Sequence, residues 1–239
     1  MRQEILLFPG HPIVQDDDFF KLSQDSMLLG GFFRQGRGKR LLDLGCGVGP
    51  LMLIALLRFP KLRAVGVDVM EGAAALAREN IVKNGLQDRA EVMRGDLRSL
   101  DRSLWDAFDL CISNPPYFEP DRGFRSPSET MAAARDGATG GVRDVCRAAS
   151  RALTWGGRFY VCCPPERLSE LFAALTAEHL EPKVLQLVHP ALDRPPCLAL
   201  AEAKKEGGPG LKVCPPLIIR QDGQETEAFR RNYRLEETI

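Results

Sequence analysis

The chain of 239 residues is 44% hydrophobic and carries 32 basic and 32 acidic residues. It is long enough to bury the core of one domain with additions, and no apolar stretch reaches membrane-spanning length. The start, Met1-Arg2-Gln3-Glu4, lacks a secretory pattern, and the seven cysteines include no Cys-x-x-Cys pair. We therefore expect a cytoplasmic protein with reduced thiols, without membrane association, a disulfide framework or a metal site.

The first predicted element is a short helix in an N-terminal extension, residues 1–38. Residues 24–30 read Gln-Asp-Ser-Met-Leu-Leu-Gly, and this pattern predicts a helix capped near Asp25 or Ser26. The extension is expected to pack on a single domain, residues 39–239, that ends in a basic segment.

A glycine-rich loop, Asp43-Leu44-Gly45-Cys46-Gly47-Val48-Gly49, follows a predicted strand and precedes a predicted buried helix. Glycines allow a tight turn and a close approach of ligand to backbone. The loop lacks the last glycine of the dinucleotide fingerprint, and Asp43 would repel a pyrophosphate but can hold an ammonium group. We therefore expect the loop to bind S-adenosylmethionine (SAM) through Asp43, Gly45, Gly47 and Gly49.

Acidic residues also follow the next two predicted strands. The second strand, residues 64–68, ends in Asp68, where a carboxylate can accept both hydroxyls of a ribose. The third strand, near residues 90–93, is followed by Asp96 and Leu97. Because the carboxyl ends of parallel strands meet at one edge of a sheet, these side chains are expected to line one ligand site.

The fourth predicted strand, residues 108–113, leads directly into Asn114-Pro115-Pro116-Tyr117. The two prolines end the strand and hold Asn114 in an extended conformation. The Asn114 side-chain oxygen and the Pro115 carbonyl are two acceptors, which suits an amino group with two N–H donors. The Tyr117 ring can lie flat on a planar base. This motif looks like that of methyltransferases acting on planar amino or amide nitrogens.

The remaining chain alternates predicted helices and strands after a long loop. That loop, from Tyr117 to about residue 141, contains Arg135 and is interpreted as a substrate-binding segment. Later strands are predicted at residues 156–163, 184–188, 198–203 and 217–219. Basic residues cluster towards the C-terminus, and Lys204, Lys205 and Lys212 are candidate contacts for RNA phosphates. A solvated surface is the alternative interpretation of these residues.

Together these features resemble the bacterial tRNA1(Val) (adenine-37-N6)-methyltransferase family of class I SAM-dependent methyltransferases. The resemblance rests on residues 24–30, 43–49, 114–117, 201–205, 211–213 and 215–219. It implies an α/β, Rossmann-like sheet of seven strands, mostly parallel with one antiparallel strand. SAM would be the cofactor and tRNA the nucleic-acid partner.

The same resemblance implies that Asp96 and Leu97 contact the adenine of SAM. It assigns catalytic roles to the motif Asn114-Pro115-Pro116-Tyr117, with Asn114 also close to the cofactor. One departure is the stretch 134–137, Ala-Arg-Asp-Gly, where many relatives carry Ala-Arg-His-Glu.

Three other functions stay open at this point. A protein glutamine N5-methyltransferase would share the Asn-Pro-Pro-Tyr motif, but it carries a separate helical domain before the glycine loop, and about forty residues are too few for one. A guanine-N2 methyltransferase of ribosomal RNA is harder to distinguish from a tRNA adenine-N6 methyltransferase by sequence. A non-catalytic RNA-binding module would lack the acids or Asn114, and all of these are present. The sequence leaves the oligomeric state open.

Overall fold

The computed structural model describes residues 1–19, 22–115 and 141–234. Its strands are Arg2–Phe8 (β1), His11–Asp16 (β2), Arg40–Leu44 (β3), Arg63–Asp68 (β4), Ala90–Arg94 (β5), Phe108–Ser113 (β6), Leu153–Cys163 (β7), Leu180–Ala191 (β8), Leu198–Lys205 (β9), Lys212–Val213 (β10), Leu217–Gln221 (β11) and Gln224–Glu225 (β12). Its helices are Gln24–Phe32 (α1), Pro50–Arg58 (α2), Glu71–Lys83 (α3), Val142–Ala152 (α4), Leu168–Ala177 (α5) and Glu227–Arg234 (α6). Within the described ranges, no helix is long and apolar enough to cross a membrane.

The central feature is a ten-stranded sheet in the order β12-β11-β8-β9-β7-β6-β3-β4-β5, with β10 beside β8. Strands β3 to β7 pair in parallel with one another, whereas β9 is antiparallel to both β7 and β8. The seven strands from β5 to β8 in this order are mostly parallel with one antiparallel strand. They confirm the predicted α/β, Rossmann-like fold class. Strand β11 includes the strand predicted at residues 217–219, whereas β10 and β12 extend the sheet beyond the prediction.

Both faces of the central strands β3, β6 and β9 are buried, which explains why these strands are largely apolar runs. Successive residues of a strand point to opposite faces. Leu41 of β3 accordingly joins one hydrophobic cluster, together with Ile54 of α2, and Leu42 joins the cluster on the other face, together with Val145 of α4. Fully burying one such side chain contributes about 1.5–3 kcal/mol, so the two clusters stabilise the sheet from both faces.

The N-terminal region contains the predicted helix and a β-hairpin that the sequence analysis missed. Helix α1 begins after Ser23, whose side chain accepts the Ser26 N–H, so the predicted cap at Asp25 or Ser26 is wrong by two to three residues. Two glycines let α1 approach its neighbours closely: a Cβ at Gly30 would meet Ile54 of α2, and one at Gly31 would meet the main-chain oxygen of Asn232 in α6. The division at residue 38 stays a prediction.

Candidate active site at the carboxyl edge of the sheet

The predicted site residues lie at the carboxyl ends of neighbouring parallel strands. Asp43 of β3 is in register with Gly66 of β4 on one side and Ile112 of β6 on the other. Asp68 ends β4, and Asn114 follows directly after β6. The alternation of strand, loop and helix therefore brings side chains that are far apart in sequence to a single edge, where open α/β sheets bind ligands.

The glycine loop folds back onto the end of β4. The N–H groups of Gly45 and Cys46 both donate to the Val67 carbonyl, at 2.9 and 3.0 Å. Gly45, Gly47 and Gly49 all have positive φ angles, 72°, 54° and 90°, a region that strongly favours glycine. A Cβ at Gly45 would meet no atom within 4 Å among the described residues, so the loop leaves room for a ligand against its backbone.

Asp43 is fully buried beneath this loop. Neither of its carboxylate oxygens has a hydrogen-bond partner among the described residues. Burial, and next the nearby negative charge of Asp68, raises the pKa of Asp43 to about 8. The Met52 backbone N–H is near the carboxylate and offsets part of this effect, but its geometry is not that of a hydrogen bond. A buried carboxylate without a partner is costly to ionise. A ligand ammonium group would supply the missing donors and charge, as the amino-acid end of SAM does.

Asp68 is held in place by the backbone. One of its oxygens accepts the Gly47 N–H at 2.8 Å and the other accepts the Met70 N–H at 2.9 Å. Burial raises the pKa of Asp68, and these two hydrogen bonds act in the opposite direction. An ionised carboxylate has about four acceptor positions. Asp68 therefore closes the glycine loop and still has acceptor capacity for ribose hydroxyls, so the residues present fit SAM.

Asp96 follows β5 and is engaged by a residue that the sequence analysis missed. The Arg98 side chain donates to both Asp96 oxygens, at 2.6–3.0 Å, and the Arg98 backbone N–H donates at 2.9 Å. This pairing lowers the pKa of Asp96. Leu97 packs at the margin of the hydrophobic core. An adenine amino group at this position would share the Asp96 carboxylate with Arg98.

A buried asparagine on α3 connects the glycine loop to the N-terminal hairpin by hydrogen bonds. Asn80 is fully buried, accepts the Val14 N–H at 2.7 Å, and donates to the carbonyls of Val14 and Val48, at 2.8 and 2.9 Å. It thereby ties the glycine loop to β2 of the N-terminal hairpin. Asn80 stands among the buried residues Ala73, Ala77 and Ile81 of α3, and this polar residue in an apolar helical pattern was the available sequence signal.

The Asn114 side chain is half-buried between α1 and β7. Its Nδ2 donates to Ser26 Oγ at 3.1 Å and lies 3.4 Å from Ser23 Oγ. Its Oδ1 accepts a weak hydrogen bond from Cys162 Sγ at 3.1 Å. Burial raises the pKa of the Cys162 thiol, so this group keeps its proton and acts as the donor. The sequence analysis treated Ser26 only as a helix residue or cap and Cys162 only as a reduced thiol, and it missed Ser23.

Of the other motif residues, Pro115 is buried beside Asn114. Pro116, Tyr117 and Arg135 lie outside the described residues, so their predicted roles stay predictions.

Two of the three lysines predicted to contact RNA, Lys204 and Lys205, lie away from the carboxyl end of β7, whereas Lys212 lies closer to it, at the level of Tyr160. Lys204, near the end of β9, is in register with Arg158 of β7. Arg158 is four residues before Cys162, so Lys204 lies about 13 Å along the strand from the level of Cys162. Lys205 donates to Asp106 at 2.8 Å and to the Leu153 carbonyl at 2.7 Å, and its side chain is 16% exposed. Lys212 of β10 is exposed. Lys205 therefore has a structural role, because it ties β9 to Asp106 and to the start of β7. Contacts of Lys204 and Lys212 with RNA stay predictions.

A family model described as the methyltransferase small domain matches residues 21–164. The chain is 30% identical over 223 residues to a tRNA1(Val) (adenine(37)-N6)-methyltransferase from Porphyromonas gingivalis, covering 82% of this chain and 86% of that protein. A protein of the same description from Bacteroides thetaiotaomicron is 28% identical and covers 75% of each chain. Among solved structures, a predicted O-methyltransferase from Agrobacterium tumefaciens has a TM-score of 0.72 at 23% identity, covering 87% of this chain and 95% of that one.

Proposed function

This chain belongs to the methyltransferase small domain family and is a SAM-dependent methyltransferase, and we propose that it methylates the exocyclic N6 amino group of an adenine in tRNA, in the cytoplasm. The observation that carries the proposal is the position of Asn114 at the carboxyl end of β6, two residues beyond Ile112, which is in register with the unpartnered Asp43 of the neighbouring strand β3. The names of the curated relatives support tRNA as the substrate.

The residues of the glycine loop and the strand ends divide the binding of SAM between them. Asp43 would hold the ammonium group, Asp68 the ribose hydroxyls, and Asp96 with Leu97 the adenine. Gly45 leaves its backbone open to the ligand. Bound SAM supplies an electrophilic methyl group on a positively charged sulfur.

Asn114 and Pro115 act on the acceptor amine. An adenine N6 lone pair is delocalised into the ring, so the free amine is a poor nucleophile. The Asn114 Oδ1 and the Pro115 carbonyl would each accept one N6–H, which favours a pyramidal nitrogen with its lone pair directed at the methyl group. Correct positioning of two reactants can supply about 7–11 kcal/mol of the barrier reduction. After transfer, the nitrogen loses one proton to water, and no strong base is required.

Two further contacts of the substrate are part of the proposal. Tyr117, outside the described residues, is predicted to stack on the base, which is worth about 1–3 kcal/mol. A base in an anticodon loop is already unpaired and costs little to extrude.

The product identifies the reaction. We expect tRNA from a strain that lacks this protein to lose N6-methyladenosine, and the purified protein with SAM to restore it. Mass spectrometry of digested nucleosides measures both, and the Asn114→Ala protein, expected to be strongly slowed, is the control. Appearance of N2-methylguanosine in ribosomal RNA, or of a methylated glutamine in a protein, would replace the proposed substrate with one of the alternatives.

Lys204 and Lys212 are predicted to contact phosphates of the same tRNA. A duplex rises about 3.4 Å per base pair, so about four base pairs cover the 13 Å along β7. Replacing both lysines with alanine is expected to weaken tRNA binding and to reduce the slope of log K against log salt concentration by about 1–2. Binding titrations between low and moderate salt measure the slope, and SAM affinity should not change.

Lys61 offers a matched control for this experiment. It is an exposed lysine in the turn before β4, away from β9 and β10. Lys61→Ala should leave the salt slope as it is in the parent. If the double variant also has the parental slope, Lys204 and Lys212 belong to a solvated surface and the tRNA binds elsewhere.

A further inference from the structure

We propose that Ser26 is a positioning residue for Asn114: it fixes the side-chain amide with Nδ2 towards α1 and Oδ1 towards the reacting amine. This inference rests on the proposed function, because it assumes that Asn114 accepts a hydrogen bond from the substrate. It adds a residue of the N-terminal region, 88 positions away in sequence, to the catalytic apparatus of the β6 motif.

The contacts around the amide make one connected network. Ser23 Oγ accepts the Ser26 N–H at 3.1 Å and lies 3.2 Å from Ser26 Oγ. The two hydroxyl oxygens therefore face Nδ2 of Asn114 as a pair, with Ser26 the closer at 3.1 Å. Ser26 is only 5% exposed, so water does not readily replace its hydroxyl group.

The opposite end of the amide has a weaker partner. Oδ1 accepts a hydrogen bond from Cys162 Sγ, and a thiol is a weak donor. An amide oxygen has two acceptor positions, so Oδ1 can accept a substrate N–H in addition to the thiol, or in its place. The strong contacts hold the end that does not react, and the reacting end stays available.

The orientation matters because the two ends of an amide have nearly the same shape and opposite hydrogen-bonding character. A reversed Asn114 would present N–H donors to an amino group that also offers only N–H donors. Such a side chain occupies the same space and accepts nothing from the substrate. The Ser26 hydroxyl can direct its own proton to Ser23 Oγ, 3.2 Å away, and then faces Asn114 as an acceptor, which favours the productive orientation over the reversed one.

Ser26 is itself held rigidly. Helix α1 packs between α2 and α6, and Gly30 and Gly31 approach Ile54 and Asn232 so closely that a Cβ at either position would clash. The position of the hydroxyl relative to β6 is therefore fixed by the packing of three helices.

A double-mutant cycle tests the inference. Ser26→Ala is expected to lower the single-turnover rate of methyl transfer about 10- to 100-fold, with SAM affinity within about twofold of the parent; the loss of a direct contact, about 10²- to 10³-fold, is the upper limit. Added to Asn114→Ala, the same substitution should cause no further loss, because the group through which it acts is gone. A multiplicative loss in the double variant, or a parental rate for Ser26→Ala, would overturn the proposal.

Two further measurements cover the other outcomes. Ser26→Cys keeps a small side chain with a weaker acceptor and should give an intermediate rate of methyl transfer. This variant replaces Ser26→Ala in the experiment if Ser26→Ala does not fold. The side-chain NH₂ signals of Asn114, identified by their loss in Asn114→Ala, should shift in Ser26→Ala. Unshifted signals disprove the contact whatever the substrate is, and a parent protein that transfers no methyl group to tRNA adenine disproves the proposed function instead.

Discussion

Asn114→Ala is expected to lower the single-turnover rate of methyl transfer to unmodified tRNA by two to three decades while SAM binds as before. The substitution removes one of the two acceptors that orient the reacting amine. One positioned hydrogen bond in a site that excludes water is worth about 2.7–4 kcal/mol, which corresponds to roughly 10²- to 10³-fold in rate. Rapid-quench measurement with enzyme in excess isolates the transfer step, and calorimetry gives the SAM affinity.

Asn114→Asp is the matched control, because it keeps the size of the side chain and an acceptor oxygen. Ser26 can donate its hydroxyl proton to the new carboxylate, so the side chain keeps its place. The loss of rate should be clearly smaller than in Asn114→Ala. Turnover close to the parental rate in Asn114→Ala would remove the amide from the mechanism, although the fold and the cofactor would stand.

The sheet and the main site residues could be predicted because their signals are local. Asp43, Asp68 and Asn114 each follow an apolar run at a strand end, and parallel pairing then forces them to one edge. The C-terminal extension of the sheet was only partly predicted. Strand β11 has an apolar run, Leu217-Ile218-Ile219, whereas β10 and β12 have two residues each and carry no periodicity.

What the sequence did not reveal depends on contacts between distant segments. Ser26 reads as a helix residue, and its hydrogen bond to Asn114 exists only after α1 packs on the sheet. Lys205 reads as part of a basic cluster, yet its ammonium pairs with Asp106, 99 residues earlier. The β1–β2 hairpin did have a local signal, the Pro9-Gly10 turn between apolar runs, and was predictable.

Asp43→Asn is expected to stabilise the protein without SAM and to weaken SAM binding at least 100-fold. The pKa of Asp43 is about 8 in the folded state against an ordinary value of 3.8. Between these values the unfolded chain releases a proton that the folded protein keeps, so the parent loses stability as pH rises, by up to about 1.4 kcal/mol per pH unit. Asparagine does not ionise, so the variant does not lose stability in this way as pH rises. The melting temperature of the variant should therefore exceed that of the parent increasingly from pH 5 to pH 8, and parallel curves would refute the buried carboxylate as the cause.

The same carboxylate must be ionised to hold the ammonium group of SAM, so binding is coupled to the release of a proton. Below pH 8, SAM affinity of the parent should rise up to about tenfold for each unit of pH. SAM affinity should be measured between pH 6 and 7.5, because the α-amino group of free SAM is expected to lose its own proton near pH 7.7–8.0, as free α-amino groups do. Calorimetry in buffers of different ionisation enthalpy counts the released proton directly. Asp43→Asn should bind weakly with no dependence on pH and no proton release. A parent protein with equally flat binding would place the ammonium group elsewhere, and Asp43 would then act only on the fold of the glycine loop.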